Sequence, residues 1–248
     1  MKLNLYIAIA LSCLVFVSFK TNTSVWKEID TKTVAQELKL LQISYAKITT
    51  YSVNINYQTY DTKGSDEIHD KSHGYMIKSG MYNKSRLLGI YTVQNDKIRV
   101  TIDSAKKTIQ IANAFIFKDP GLSLNDYLKI LTFCKVVKKS TENDIVGYRF
   151  ETKNTQGLMA QEIFIENGIT KEVDAYYANE HFYRENNDLK KEIVYPKLTV
   201  VFSDFNPKIK VIPTDFNIDK IVNLSNPKKI VLTPNYKGYK LIDGRIKK

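Results

Sequence analysis

Residues 97–111, KIRVTIDSAKKTIQI, alternate between apolar and polar with a period of two. Ile98, Val100 and Ile102 fall on one side of an extended chain, and Lys97, Arg99 and Thr101 on the other. Asp103-Ser104-Ala105-Lys106 reads as a turn, after which Ile109 and Ile111 resume the alternation. A helix cannot gather such residues on one stripe, whereas an antiparallel strand pair with one wet and one dry face does so directly. The dry face needs a cover, which is either an ordinary core or a cavity that holds something apolar.

Periodicity elsewhere places the other elements. After a capping Asp30, Val34, Leu38, Leu41, Tyr45 and Ile48 recur at helical spacing and predict a helix over 31–48. It feeds a strand in YSVNINYQTY, where Val53, Ile55 and Tyr57 alternate with polar residues. The polar stretch from Asp61 to Gly74 reads as a loop or a loose hairpin. Short strands are expected over 75–79, 87–93, 97–102 and 108–112, in a meander. A second helix is expected over 123–135, capped by Ser123 and striped by Leu124, Tyr127, Leu128, Leu131 and Cys134, with Ile130 and Phe133 widening the stripe.

Strands return over 146–152 and 161–165, and Asn167-Gly168 predicts a type I′ hairpin into 169–177. NEHFYRENNDLKKE reads as a polar linker. Leu198, Val200 and Phe202 share one face of a further strand, whose preceding Pro196 suits a sheet edge. The tail is less regular, with a short helix over 215–222 and a short strand expected. With many strands, two helices and no βαβ alternation, the class is α+β: a large curved antiparallel sheet, an incomplete barrel, with two helices on its concave face.

The amino terminus reads as a secretory signal. Lys2 precedes an apolar run from Leu5 to Phe19, which is short for a membrane span. The expected organisation is a signal peptide over 1–24 and a single domain over 25–248 with a basic C-terminal extension. Ser12-Cys13 resembles a lipidation site, but Leu14-Val15-Phe16-Val17 follow where a polar tether is usual, so outer-membrane anchoring at Cys13 is the lesser expectation. Without the signal, Cys134 is the lone cysteine, and no disulfide can form within the chain. The expected location is the periplasm of a Gram-negative bacterium.

The formal charge is +11, and from Asn206 onward ten Lys or Arg stand against Asp215, Asp219 and Asp243. Such a tail suits an anionic membrane surface or an acidic protein, and nucleic acid is not expected of an exported chain. No nucleophile elbow, Walker-type loop or dinucleotide fingerprint occurs. His69 and His73 stand four apart in HDKSH, but without a metalloprotease glutamate and in a polar loop. Glu162, Glu166 and Glu172 read as the wet face of a hairpin. A non-enzymatic protein without cofactor or metal is expected.

The order of these elements, with GYMIKSGMYNKS, IYTVQNDKIRVTID, KTIQI and the EIFIENGITKEV hairpin, resembles the LolA/LolB-like periplasmic lipoprotein-carrier superfamily from about Lys32 to Phe205. The resemblance implies a curved, incomplete barrel around a hydrophobic cavity for a lipid, an acyl chain or a lipoprotein; no residue role transfers with it. The alternation and the second helix's stripe supply the expected ligand-cavity residues. Val93, Ile98, Val100 and Ile102 would face Leu128 and Leu131, with Tyr57, Tyr75 and Tyr91 at the rim. Each methylene buried there would contribute about 0.8 kcal/mol. The alternative is an envelope protein-interaction or assembly module with a filled core and no lipid cargo.

Overall fold

The computed structural model describes residues 25–61, 67–116, 125–154, 157–185, 188–225 and 230–245. The signal sequence, Cys13 and the Ser123 cap lie outside them. In chain order the elements are β1 (Lys27–Glu28), α1 (Thr31–Tyr45), β2 (Thr50–Tyr60), β3 (Asp70–Ser79), β4 (Tyr82–Leu87), β5 (Ile90–Gln94), β6 (Ile98–Asp103), β7 (Thr108–Asn113) and α2 (Asn125–Ile130). There follow β8 (Cys134–Glu142), β9 (Ile145–Thr152), β10 (Gly157–Glu166), β11 (Ile169–Glu185), β12 (Asp188–Val194), β13 (Lys197–Asn206), β14 (Val222–Asn223), β15 (Val231–Leu232) and β16 (Lys240–Asp243).

One sheet dominates, in the order β1-β8-β9-β10-β11-β13-β2-β3-β4-β5-β6-β7-β16, with β12 paired to β11. Its ends do not meet, so it is an open α+β sheet rather than a closed barrel. Every pairing along it is antiparallel except that of β16, which returns from the tail to lie parallel to β7.

The register fixes which side chains share a face, and it yields two cores. Val53 is opposite Met76, Met76 opposite Ser85, and Ser85 opposite Thr92, so these four point to one side. The row beside them runs through Ser52, Ile77, Lys84, Val93, Val100 and Ile111, on the other side. The first core lies on the helix face, where Val34 and Leu38 of α1 and Tyr127 of α2 pack on Tyr51, Val53, Ile55, Met76, Phe150, Ile163 and Phe202. The second lies on the outer face, where Val93, Val100, Ile102, Ile109 and Ile111 are covered by the tail residues Phe216, Ile218, Ile221 and Val222. On the helix face β4 and β5 are polar: Asn83, Ser85 and Gln94 are buried, and Gln94 Nε2 donates to the carbonyls of Met81 and Phe115 at 2.6 and 2.8 Å.

Several expected elements stand. The Asp30 carboxylate accepts from the Thr33 N–H at 2.9 Å, and the α1 stripe is buried or half-buried as its spacing predicts. Asn167 and Gly168 both take positive φ, of 52° and 77°, as a type I′ turn requires.

Others are corrected. The expected 87–93 strand is broken by a turn at Leu88-Gly89, both at positive φ, so β4 and β5 are separate. The 61–74 loop becomes strand from Asp70, because β2 offers a partner edge. The helix over 123–135 is described only as Asn125–Ile130, and the chain turns into β8 at Cys134, where β-branched Val136 and Val137 pair with β9. NEHFYRENNDLKKE is a hairpin, since β11 runs to Glu185 and pairs with β12. Pro196 does not mark an edge: β13 is held between β11 and β2, and the proline stands just outside it. In the tail the expected helix is a single 3-10 turn, Pro213–Phe216.

Candidate functional site

The expected cavity residues divide between the two faces. Val93, Val100 and Ile102 are buried in the second core, with Ile98 and Tyr91 packed against it, beneath the tail. Leu128, Leu131 and Tyr57 pack on the first core, beneath the helices. Tyr75 is opposite Arg86 and so belongs to the outer face with Tyr91, whereas Tyr57 is opposite Val200 on the helix face. The sheet therefore separates the two groups that were to enclose one acyl chain. The alternation holds, but a dry face has no sign: period two says that one side is apolar and not which neighbour covers it.

Among the described residues, the interior between the helices and the sheet is packed with buried side chains. Leu38, Tyr51, Ile55, Met76, Phe150 and Ile163 are wholly enclosed, and the Tyr127 ring stacks on Phe150 at 5.9 Å. At the edge of this core an opening of about 450 Å³ remains, where α1 meets the ends of β9 and β10. Leu40 and Leu41 of α1, Val146 and Tyr148 of β9, and Ile165 of β10 line it. Leu40 is 66% exposed and Ile43, one turn on, 51%, so an apolar ridge stands in water beside an apolar opening. A polar latch sits at the rim: Lys139 Nζ contacts both oxygens of Glu37, at 2.7 and 2.9 Å, and the Tyr148 hydroxyl donates to Glu37 at 2.6 Å. Partial burial works to raise the Glu37 carboxyl, but these hydrogen bonds and the Lys139 charge outweigh it and hold the group below the usual carboxylate value. Burial, and then the Glu37 carboxylate, push the Tyr148 phenol well upward, so it remains a donor.

A second opening, of about 530 Å³, lies on the outer face near the ends of β8–β11, walled by Met159, Ala160, Tyr176, Tyr177 and Tyr195. Its floor is ionic. Arg149 pairs with Glu162 and, at 3.0 Å, with Glu151, which Lys138 also contacts at 2.9 Å. Tyr176 donates to Glu162 at 3.0 Å, while Asp174 is met by Lys197 at 2.8 Å and by the Thr199 hydroxyl at 2.6 Å. Three cations thus face three carboxylates. This corrects the reading of the glutamates as a wet face: Glu162 is 6% exposed, and Glu172 is sufficiently buried, with Asp174 nearby, for its carboxyl to be pushed up. Each ion here has its counter-ion, so the floor is a structural cross-brace over five strands. An apolar chain laid on it would strip these charges of water without replacing their partners.

His69 and His73 do not converge. His69 Nδ1 lies 3.2 Å from Asp61, and His73 contacts Asn56 across the β2–β3 pair. Leu40, Ile43 and Val146 are the site residues that periodicity did not assign. Their available signal was two apolar residues off the helix stripe, at Leu40 and Ile43.

No family model matches the chain, and no curated protein matches it. Among solved structures, a DUF1329 family protein from Desulfovibrio piger aligns at 8% identity and a TM-score of 0.32, over 74% of this chain and 97% of that one. At that score the likeness carries no argument about what this chain binds.

Proposed function

We propose that this chain is a non-enzymatic protein of the cell envelope that binds the acyl chain of a lipid or lipoprotein at the edge of its helix face, between α1 and the ends of β9 and β10. The observation that carries the reading is the apolar opening lined by Leu40, Leu41, Val146 and Ile165, with Leu40 and Ile43 left in solvent beside it. Its volume of about 450 Å³ lies within the range of small-molecule sites. Six methylenes placed there would contribute about 5 kcal/mol before ordering costs. The Glu37–Lys139–Tyr148 latch supplies the polar end that an amphiphile's linkage requires.

A second reading is favoured by the filled interior behind the opening. The same apolar ridge would then dock a partner protein, with no lipid cargo. Lipid extraction and native mass spectrometry of protein purified from its own envelope separate the two. Co-purifying lipid that disappears in Leu40→Asp, a change at an exposed position that leaves the fold intact, supports the acyl site. Lipid-free protein, or lipid retained in full by L40D, overturns it.

A further inference from the structure

Lys84 and Arg86 stand where the sheet's own alternation asks for apolar side chains. Lys84 is opposite Ile77 on one side and Val93 on the other; Arg86 is opposite Tyr75 and Tyr91. All four neighbours belong to the outer face, which carries the second core. Two cations beside the apolar rows of β5–β7 break the pattern that those strands obey on this face, and such breaks concentrate where a site is built.

The tail forms the other wall of an open cleft beside them. Lys220 and Tyr236 come from the tail, Tyr91 from β5, and the buried Ile102 and Ile221 join them, bounding about 380 Å³ with Ser104, Thr214 and Asn217 at the border. Asp215 is the one carboxylate among the lining residues, and its Oδ2 accepts from the backbone N–H of Ile212 at 2.9 Å. Among the described residues, none of Lys84, Arg86 and Lys220 has a carboxylate within ion-pair distance. The ionic floor over β8–β13 pairs Lys138, Arg149 and Lys197 with acids, whereas this cleft holds a surplus of two positive charges. Burial, then Tyr75 and Tyr236, push the Tyr91 phenol up, so it is a standing hydrogen-bond donor.

We propose that this cleft is an anion site for a phosphate monoester. At neutral pH a monoester carries a charge of about −1.5 to −2, which matches the surplus, and it presents three acceptor oxygens. A guanidinium donates to two of them in a fork, and the two ammonium groups and the phenols donate to the rest. The Tyr91 and Tyr236 rings, with Ile102 and Ile221, offer an apolar wall for the carbon skeleton of the ester. The site lies on the opposite face from the acyl opening and stands independently of it.

The phosphate can belong to a soluble ester or to a lipid headgroup, and two arms distinguish them. Calorimetric titration of the mature chain with glycerol 3-phosphate probes the first. Flotation with phosphatidylcholine vesicles doped with phosphatidic acid, against phosphatidylcholine alone, probes the second. The expected result is saturable binding in at least one arm, weakened about tenfold or more by Lys84→Gln with Arg86→Gln, and by Lys220→Gln alone. Lys208→Gln with Lys210→Gln, which removes the same charge from tail residues outside the cleft, leaves binding unchanged. Lys220 is exposed, so K220Q decides the matter even if the double variant misfolds. No saturable binding in either arm, or equal weakening by the control pair, overturns the proposal.

Discussion

Replacing Phe216 by alanine tests whether the sheet truly buries opposite faces in its two halves. Phe216 is 1% exposed, its ring centroid lies 5.4 Å from that of Tyr82, and it belongs to the second core with Ile102 and Ile109. Removing a buried phenylalanine ring from a packed core costs about 3–5 kcal/mol, the sum of lost transfer energy and an unfilled cavity. If β5–β7 instead turned their dry face toward α2, Phe216 would lie in an unpacked tail, and alanine would cost less than about 0.5 kcal/mol. The two cases differ by several kcal/mol, well beyond the error of urea titration. The sole tryptophan, Trp26, packs edge-on against Phe164 at 6.1 Å in the far half of the sheet, away from the second core, so its fluorescence reports that half. Amide exchange over β5–β7 reports the second. F216A should lower protection in β5–β7 at once and shift the urea midpoint with it. Unchanged protection there, with a loss below about 0.5 kcal/mol, would refute the two-faced arrangement.

Three further outcomes are expected. Arg149→Met strands Glu162, 6% exposed, without its cation and should destabilise the fold by about 3–5 kcal/mol in urea melts, with part of the loss restored by adding Glu162→Gln. The Glu37 carboxyl is held below its unfolded value, so its stabilising contribution is present above about pH 4.3 and is lost as pH falls through the folded value; stability measured between about pH 5 and pH 3 should fall less steeply in Lys139→Met than in the parent. Burial pushes the Cys134 thiol up to about 11, so at pH 7.5 iodoacetamide should label it about a hundred times more slowly than an exposed thiol, and urea should abolish the difference.

The sheet was legible where one face met water and the other met protein. Residues 97–111 are such a stretch, and β6 and β7 follow them closely. Alternation fades where both faces share one character. β12 is exposed along nearly its whole length, so Asp188–Val194 carries no period and reads as a linker. The Leu88-Gly89 turn hid behind a leucine at φ 48°, a residue with no preference for that region, left 62% exposed at the bend. The covering of each face was beyond local pattern altogether. Phe216, Ile218, Ile221 and Val222 fill a core from an irregular tail whose spacing fits neither helix nor strand. Lys84 and Arg86 were readable as cations but not as members of the outer face, because their orientation depends on a register set by Tyr75, Tyr91 and Val93.

The return of β16 to β7 sets a timetable for folding. Thr108 leaves the ribosome about 130 residues before its partner Lys240, and Ile109 and Ile111 wait nearly as long for Phe216 and Ile221. The helix-face core lacks only β13 once β11 has emerged; the outer face cannot close until the last sixth of the chain arrives. Contacts of such sequence separation form late and slowly. Throughout that interval a meander of strands presents Val93, Val100, Ile102, Ile109 and Ile111 as a bare apolar plane, a surface that invites another copy of the same nascent chain. The tail is thus the clasp that ends the aggregation-prone phase, and a chain truncated before Phe216 would never leave it.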